Sequence, residues 1–362
     1  MRADHVGSLL RPPEVLQARA EHASGRLDLD GLRRVEDEAI LRVLDKQRQI
    51  GLDVLTDGEL RRGAWQTDLA EAVEGFVPQY IAMEWHGPGA EQDEQSWAQV
   101  VAAPLRQARR ITEHETAFLR QHAPGRFKMT LPSAATFGDA SFRPGLTDTV
   151  YPTRGDLLSA LVPILRSEIE ALIEEGVAYI QIDAPRYTYY ADEHIRGRMQ
   201  ANGVDPDRAL AEGIAADNAS IQGLARPGVT LAMHLCRGNS RSRWRAEGGY
   251  DRIAEQIFGS VQVDRFLLEY DTERAGGFEP LRLVPRGKTV VLGLVTTKAG
   301  ALERQDDLLR RIDEAARYIR LEDLALSPQC GFASVAEGNL LSEDEQWRKL
   351  ELIVETARKV WG

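Results

Sequence analysis

Short apolar runs alternate with amphipathic segments along most of the chain. The runs Leu52–Thr56, Phe127–Leu131, Val177–Ile182, Val229–His234, Arg265–Glu269, Thr289–Leu294 and Leu324–Ser327 are rich in branched residues and read as buried strands. A shorter, more polar stretch, Ala3–Val6, reads as one more. Between them lie helical patterns. Leu32, Val35, Ile40, Val43, Gln47 and Ile50 recur at near-helical spacing, with Asp30 as the predicted cap and Gly51 as the stop. Leu157–Glu175 repeats the pattern despite Pro163 and ends at Gly176, and Asp306–Tyr318 and Asp344–Val360 continue it. Strands separated by helices predict parallel βα units. A count of about eight predicts an α/β fold of the (β/α)8 TIM-barrel type rather than a doubly wound sheet. The interval from Thr56 to Phe127 is too long for one such unit. It predicts an excursion between the second and third strands, around Val77–Gly89, ahead of a helix at Ala108–Gln121. The acidic, Gln-rich patch Glu91–Gln95 reads as a solvated loop, and nothing in the composition divides residues 1–362 into two domains.

In a barrel, the C-terminal ends of the strands converge on one face. Here those ends carry reactive residues: Ser8, Asp57 and Glu59, Ser133, Asp183, then His234 with Cys236, Glu269, Thr296-Thr297-Lys298, and Cys330. His234 and Cys236 are two apart, so on a strand they point to the same side and can reach one ion. The chain has two cysteines, and both fall in this group. A Cys/His/Glu/Cys set suits zinc, and zinc holds a bound thiol as thiolate. The competing reading of His234 and Cys236 is a satisfied core histidine and an inert buried cysteine.

Composition narrows the classes. Hydrophobic residues make up 43% and charged residues 28%, as in ordinary globular proteins. A net charge of -11 argues against a general nucleic-acid binder. No apolar run is long enough to span a bilayer, and the segment Met-Arg-Ala-Asp-His does not open a signal peptide. Two cysteines cannot build a disulfide framework, so a cytoplasmic location is expected. A homo-oligomer remains open. The loop after Cys236 is basic, with Arg237, Arg241, Arg243 and Arg245 around Trp244. It reads either as a solvated loop or as an anion clamp. Arg186 with Tyr187, Tyr189 and Tyr190 reads as a second wall or as loop packing.

The motifs resemble the catalytic C-terminal barrel of cobalamin-independent methionine synthase and its short single-barrel relatives. The resemblance runs through His5-Val6-Gly7-Ser8-Leu9-Leu10-Arg11-Pro12, Gly51–Glu59, Gln181-Ile182-Asp183, His234-Leu235-Cys236-Arg237-Gly238-Asn239, Glu269-Tyr270-Asp271, Gly293-Leu294-Val295 and Cys330-Gly331-Phe332. It implies a zinc ion held by His234, Cys236, Glu269 and Cys330, and a homocysteine gripped by Ser8, Glu59 and Asp183. Arg237 joins the expected substrate contacts, and Asp183 and Lys298 are the expected catalytic residues.

Three departures from the family pattern bear on function. The long enzymes carry an additional N-terminal barrel that helps bind folate, for which this chain is too short. The family's Asp-Glu-Pro is Asp183-Ala184-Pro185 here, and the histidine after the seventh strand is replaced by Thr296-Thr297-Lys298. Lys298 is then a proton donor, an anion contact or a solvated lysine. The expected activity is S-methylation of homocysteine from a 5-methyltetrahydrofolate-type or other donor. The alternatives are epoxyalkane–coenzyme M transfer or methyl transfer from a corrinoid protein. A tetrapyrrole-decarboxylase barrel or a methyl-carrier partner would need no zinc shell.

Overall fold

The computed structural model describes residues 1–90, 94–125, 127–224 and 226–362. Two long strands, β1 (Val73–Met83) and β2 (Glu94–Gln107), form an antiparallel hairpin. Six strands follow in one parallel sheet and in chain order: β3 (Lys128–Pro132), β4 (Tyr179–Asp183), β5 (Thr230–Leu235), β6 (Arg265–Glu269), β7 (Thr289–Val295) and β8 (Leu324–Pro328).

The two staves predicted first are single parallel bridges rather than full strands. Leu55 bridges Phe127 beside β3, and Ala3 bridges Leu326 in β8. Asp4 N donates to Leu326 O at 2.9 Å, and Lys128 N donates to Leu55 O at 3.0 Å. These edge segments then meet: Leu9 N donates to Gly58 O at 2.9 Å, and Thr56 Oγ1 donates to Gly7 O at 2.8 Å. The ring is thereby closed as a (β/α)8 barrel. The Ala3 stave is short because its next residues are polar and needed inside. Asp4 pairs with Lys128 Nζ at 2.9 Å and accepts from Tyr179 OH at 2.7 Å.

Strand alternation sorts the interior into layers. Tyr179, Ala232, Leu267, Val291 and Ala325 pack together in the barrel with Val6 and Val54. Two residues further along the same faces stand Gln181, His234, Glu269, Gly293 and Ser327, and next Asp183 and Cys236. Sequence period alone therefore carries the reactive groups to one end.

The helices largely follow the apolar pattern. The Leu29–Ile50 helix stops at Gly51, which adopts φ 86°. Its cap differs from expectation: Asp28, not Asp30, is the N-cap, and its side chain accepts from Gly31 N at 2.7 Å. Asp30 lies in the first turn. Asp28→Ala is therefore expected to cost about 1 kcal/mol in urea unfolding, and Asp30→Ala only a few tenths. Equal losses would return the cap to Asp30.

The Pro163-containing helix runs Arg154–Glu174, opened by a Thr153/Asp156 capping box. The helices at Gln305–Ala315 and Glu343–Trp361 match the remaining patterns to within a few residues. The excursion is the β1–β2 hairpin. Because β2 continues to Gln107, the helix expected at Ala108–Gln121 begins later, at Glu113, and ends at His122. Of the patch expected as a loop, 91–93 lie outside the described residues, while Glu94 and Gln95 open β2. Among the described residues no helix is long and apolar enough to cross a membrane.

Candidate metal centre

His234 lies in β5, Cys236 just past it, and Cys330 two residues beyond β8. Their ligand atoms all fall within 4.8 Å of one another, and all three residues are buried. The two sulfurs are 3.7 Å apart. Neither ring nitrogen of His234 has a hydrogen-bond partner among the described residues. A buried imidazole with both nitrogens unpartnered is costly unless something else takes a lone pair.

The donor chemistry fits a soft or borderline divalent ion. Two thiolates on one zinc at ~2.3 Å in tetrahedral geometry stand about 3.8 Å apart, close to the separation observed here. The two thiols shift in opposite directions. The hydrogen bond with Cys236 holds Cys330 well below the ordinary thiol range against the opposing effect of burial, with His234 adding to it. Cys236 is pushed up by the same partner and by burial, with Glu269 contributing.

Glu269 sits at the end of β6 but outside this trio. Its Oε2 accepts from Arg237 N at 2.7 Å, and its Oε1 accepts from Arg274 Nε at 2.9 Å. Burial raises its pKa, yet Arg237, Arg274 and Lys298 together hold the carboxyl below its ordinary range. Arg274 also grips Asp271, at 2.9 and 3.0 Å. As the side chains stand, the fourth expected ligand is paired with arginine.

A cavity of about 540 Å³ opens over the trio. Ser8, Glu59 and Asp183 line it together with His234, Cys236 and Cys330. Glu59 adopts φ 55°, a left-handed backbone that is unusual for a side-chain-bearing residue and typical of functional sites. Its Oε1 accepts from Thr130 Oγ1 at 2.9 Å, while Oε2 is buried without a partner. Burial raises its pKa against the pull of Arg62 and Arg11. Asp183 accepts from Gln181 Nε2 at 2.8 Å. Burial pushes it up to about 7, His234 opposing and Glu59 reinforcing. Gly331 is required where the chain after Cys330 crosses Ser8, since a Cβ there would stand 2.0 Å from Ser8 Oγ.

Two expected site residues are differently occupied. Arg237 is fully buried and does not line the cavity. Its guanidinium donates to Gly248 O at 2.7 and 3.0 Å and to Glu269 O at 3.2 Å, so it braces backbone rather than meeting a substrate. Lys298 is also absent from the lining. Its ammonium donates to Gly238 O and Asn239 Oδ1, each at 2.9 Å, and to Arg243 O at 3.3 Å. It therefore acts as a clamp on the loop after Cys236, because carbonyl oxygens there satisfy all three of its protons.

That loop is tied to the Cys330 segment by Asn239, quoted above only as part of a motif, and by Asn339, which the sequence did not single out. Asn239 Nδ2 donates to Gly331 O at 2.8 Å and to Ser334 Oγ at 3.1 Å. Asn339 Nδ2 donates to Asn239 Oδ1 at 3.0 Å and to Thr297 O at 2.9 Å. A lone loop asparagine such as Asn339 carries no pattern that separates it from a turn residue.

The family model described as "Cobalamin-independent synthase, Catalytic domain" matches residues 1–359. The chain belongs to this family. It is a family of methionine-synthase-like methyltransferases. Among relatives, the uncharacterized proteins YxjG and YxjH of Bacillus subtilis (strain 168) are 40% and 38% identical. Each match covers 99% of this chain and 94% of the relative. A Pyrococcus abyssi protein named methionine synthase is 22% identical over 98% of this chain and 91% of its own.

Among solved structures, a candidate vitamin-B12-independent methionine synthase from Listeria monocytogenes superposes with a TM-score of 0.75 at 28% identity. It covers 100% of this chain and 98% of its own. A B12-independent methionine synthase from Shewanella sp. W3-18-1 gives the same TM-score at 20% identity, covering 98% and 96%, which speaks to the fold.

Proposed function

We propose that this protein, as one barrel domain over residues 1–362, is a zinc-dependent thiol methyltransferase that converts homocysteine to methionine. The observation that carries the reading is the buried trio of His234, Cys236 and Cys330, with sulfurs 3.7 Å apart and an imidazole lacking other partners. Family membership supports methyl transfer as the reaction class.

Zinc at this trio would supply one thing, a substrate thiol kept as a thiolate at neutral pH. Glu269 is the candidate fourth ligand, and to serve it must give up Arg274. Glu59 and Asp183 suit the ammonium of an amino acid, and the Ser8 hydroxyl suits its carboxylate. Burial of both carboxylates strengthens such a pairing. The barrel's contribution to rate is then alignment of sulfur and methyl carbon with water excluded. The donor's identity remains part of the proposal, with a 5-methyltetrahydrofolate-type compound the first candidate to try.

Coenzyme M brings a sulfonate and no ammonium, so Glu59 and Asp183 favour homocysteine over it. Zinc-loaded protein is expected to gain one zinc–sulfur bond in X-ray absorption when homocysteine is added. Coenzyme M should leave the spectrum unchanged. Asp183→Asn should weaken the homocysteine effect about tenfold or more. A spectrum indifferent to homocysteine would remove the thiol from the proposal.

A further inference from the structure

Glu59 and Asp183, the two carboxylates of the cavity, are held by the same device. Thr130, inside β3, is buried beside Glu59, and Arg62 is buried behind it. Arg62 Nη1 donates to Thr130 Oγ1 at 2.9 Å, and Thr130 Oγ1 donates to Glu59 Oε1 at 2.9 Å. An arginine can only donate, so the hydroxyl accepts from it and gives its single proton to the carboxylate. For Asp183 the relay is Gln181, two residues earlier on β4. Lys128 Nζ donates to Gln181 Oε1 at 2.8 Å. A lysine also can only donate, which fixes the end of the amide that faces it. Gln181 Nε2 then gives its two protons to Val6 O and Asp183 Oδ1, each at 2.8 Å.

Each chain therefore runs from cation to neutral relay to carboxylate. The cations are anchored on their far sides. Arg62 is bidentate on Glu115 at 2.6 and 2.8 Å, and Lys128 pairs with Asp4 at 2.9 Å. The relays matter because of what a direct pair would do. Arg62 Nη1 stands 3.8 Å from Glu59 Oε1, near enough to take over the carboxylate if the hydroxyl were gone. Glu269 shows that arrangement, with Arg274 Nε at 2.9 Å. A carboxylate already paired with a cation attracts a second cation less. A neutral relay instead fixes one oxygen and keeps the cation a hydrogen bond further off. The other oxygen stays open: Glu59 Oε2 is buried with no partner among the described residues. A buried acceptor left bare is costly until a donor arrives.

We propose that Thr130 and Gln181 are positioning residues that set the site's preference for a thiol carrying an ammonium. Each ties down one oxygen of its carboxylate and keeps the cation behind it, Arg62 or Lys128, from neutralising that carboxylate. This rests on the homocysteine reading above and names the groups that make it selective. Neither relay lines the cavity, so each acts through Glu59 or Asp183 rather than on the substrate.

The test compares homocysteine with its des-amino analogue, 4-mercaptobutanoate, by calorimetry on zinc-loaded protein. Wild type is expected to bind homocysteine about tenfold or more tightly than the analogue. Thr130→Val and Gln181→Met should each lose about tenfold in homocysteine affinity, with the analogue unchanged to within about twofold. Thr130→Ser keeps the hydroxyl and should hold the preference within about twofold of wild type. A merely structural role would weaken both ligands together, so the ratio of the two affinities is the readout. If one of the two disruptive variants melts early, the other and Thr130→Ser decide the matter. The proposal is overturned if the variants keep the wild-type ratio, if they weaken the two ligands in step, or if Thr130→Ser behaves like Thr130→Val. A change in only one variant assigns the role to that relay and removes it from the other. A wild type indifferent to the ammonium would overturn the homocysteine reading itself, and the relays with it.

Discussion

Cys330→Ser is expected to lower zinc affinity by about 10²–10³-fold and to abolish methyl transfer. Zinc held by four protein ligands is worth roughly 10–16 kcal/mol at neutral pH, or about 3 kcal/mol for each ligand. A hydroxyl replaces a thiolate poorly because it does not ionise in this range. The hydrogen bond with Cys236, and after it His234, hold the Cys330 thiol well below its ordinary range despite burial. Loss of that thiol removes one of the three converging donor atoms. Competition with a chromophoric chelator measures the affinity, and far-UV circular dichroism checks that the barrel is intact. Cys236→Ser should behave alike. If both serine variants retained stoichiometric zinc at nanomolar free metal, the trio would not be the metal centre.

Asp57→Asn is expected to stabilise the protein at pH 8 by about 2 kcal/mol, with a ceiling of about 4. Asp57 is buried, with Oδ1 accepting from Glu59 N at 2.9 Å and Oδ2 unpartnered. Burial raises its pKa from 3.8 to about 7, Glu115 adding and Arg62 opposing. The folded state thus holds a proton that the unfolded chain releases near pH 4. Stability from this group is complete below pH 4 and is lost as the pH climbs through 7. An amide keeps the hydrogen bond to Glu59 N without the charge, so the variant should lose less stability over that interval. Asp217 and Asp271, raised to about 6, share the same sign, which leaves a residual slope. Urea unfolding at pH 5 and pH 8 decides the matter. Parallel wild-type and variant curves would mean that Asp57 is already screened. Since Asp57 does not line the cavity, activity should survive the change.

Much of the architecture was legible because burial imposes period two on strands and near 3.6 on helices. The six strands from Lys128 to Pro328 fall within the predicted runs or a residue or two of them. The hairpin was visible as an over-long gap but not as strands, since its exposed faces show little alternation of apolar residues. Of the site, His234, Cys236 and Cys330 could be read from residue type and strand position, and they do meet.

Arg237 and Lys298 could not be read that way. An arginine or lysine beside a metal motif looks the same in sequence whether it faces substrate or a row of carbonyl oxygens. Only three-dimensional contacts distinguish the two, and here Arg237 goes to backbone carbonyls and Lys298 to backbone carbonyls and the Asn239 amide oxygen. Glu269 shows a related limit: its place at the end of β6 was foreseeable, whereas its partner Arg274 was not.

Closure of the ring between the Ala3 segment and β8 has a bearing on biogenesis. Arg2 Nη1 reaches Leu324 O across 322 residues of sequence, and Phe332 N donates to Ser8 O. A ribosome delivers the first stave long before the one that receives it. The nascent chain must keep the edge of that stave that faces β8 unpaired, and exposed to chaperones or misassembly, until synthesis is nearly past Cys330. Assembly of the full trio is therefore a late event, available only to a polypeptide that has already brought its two ends together.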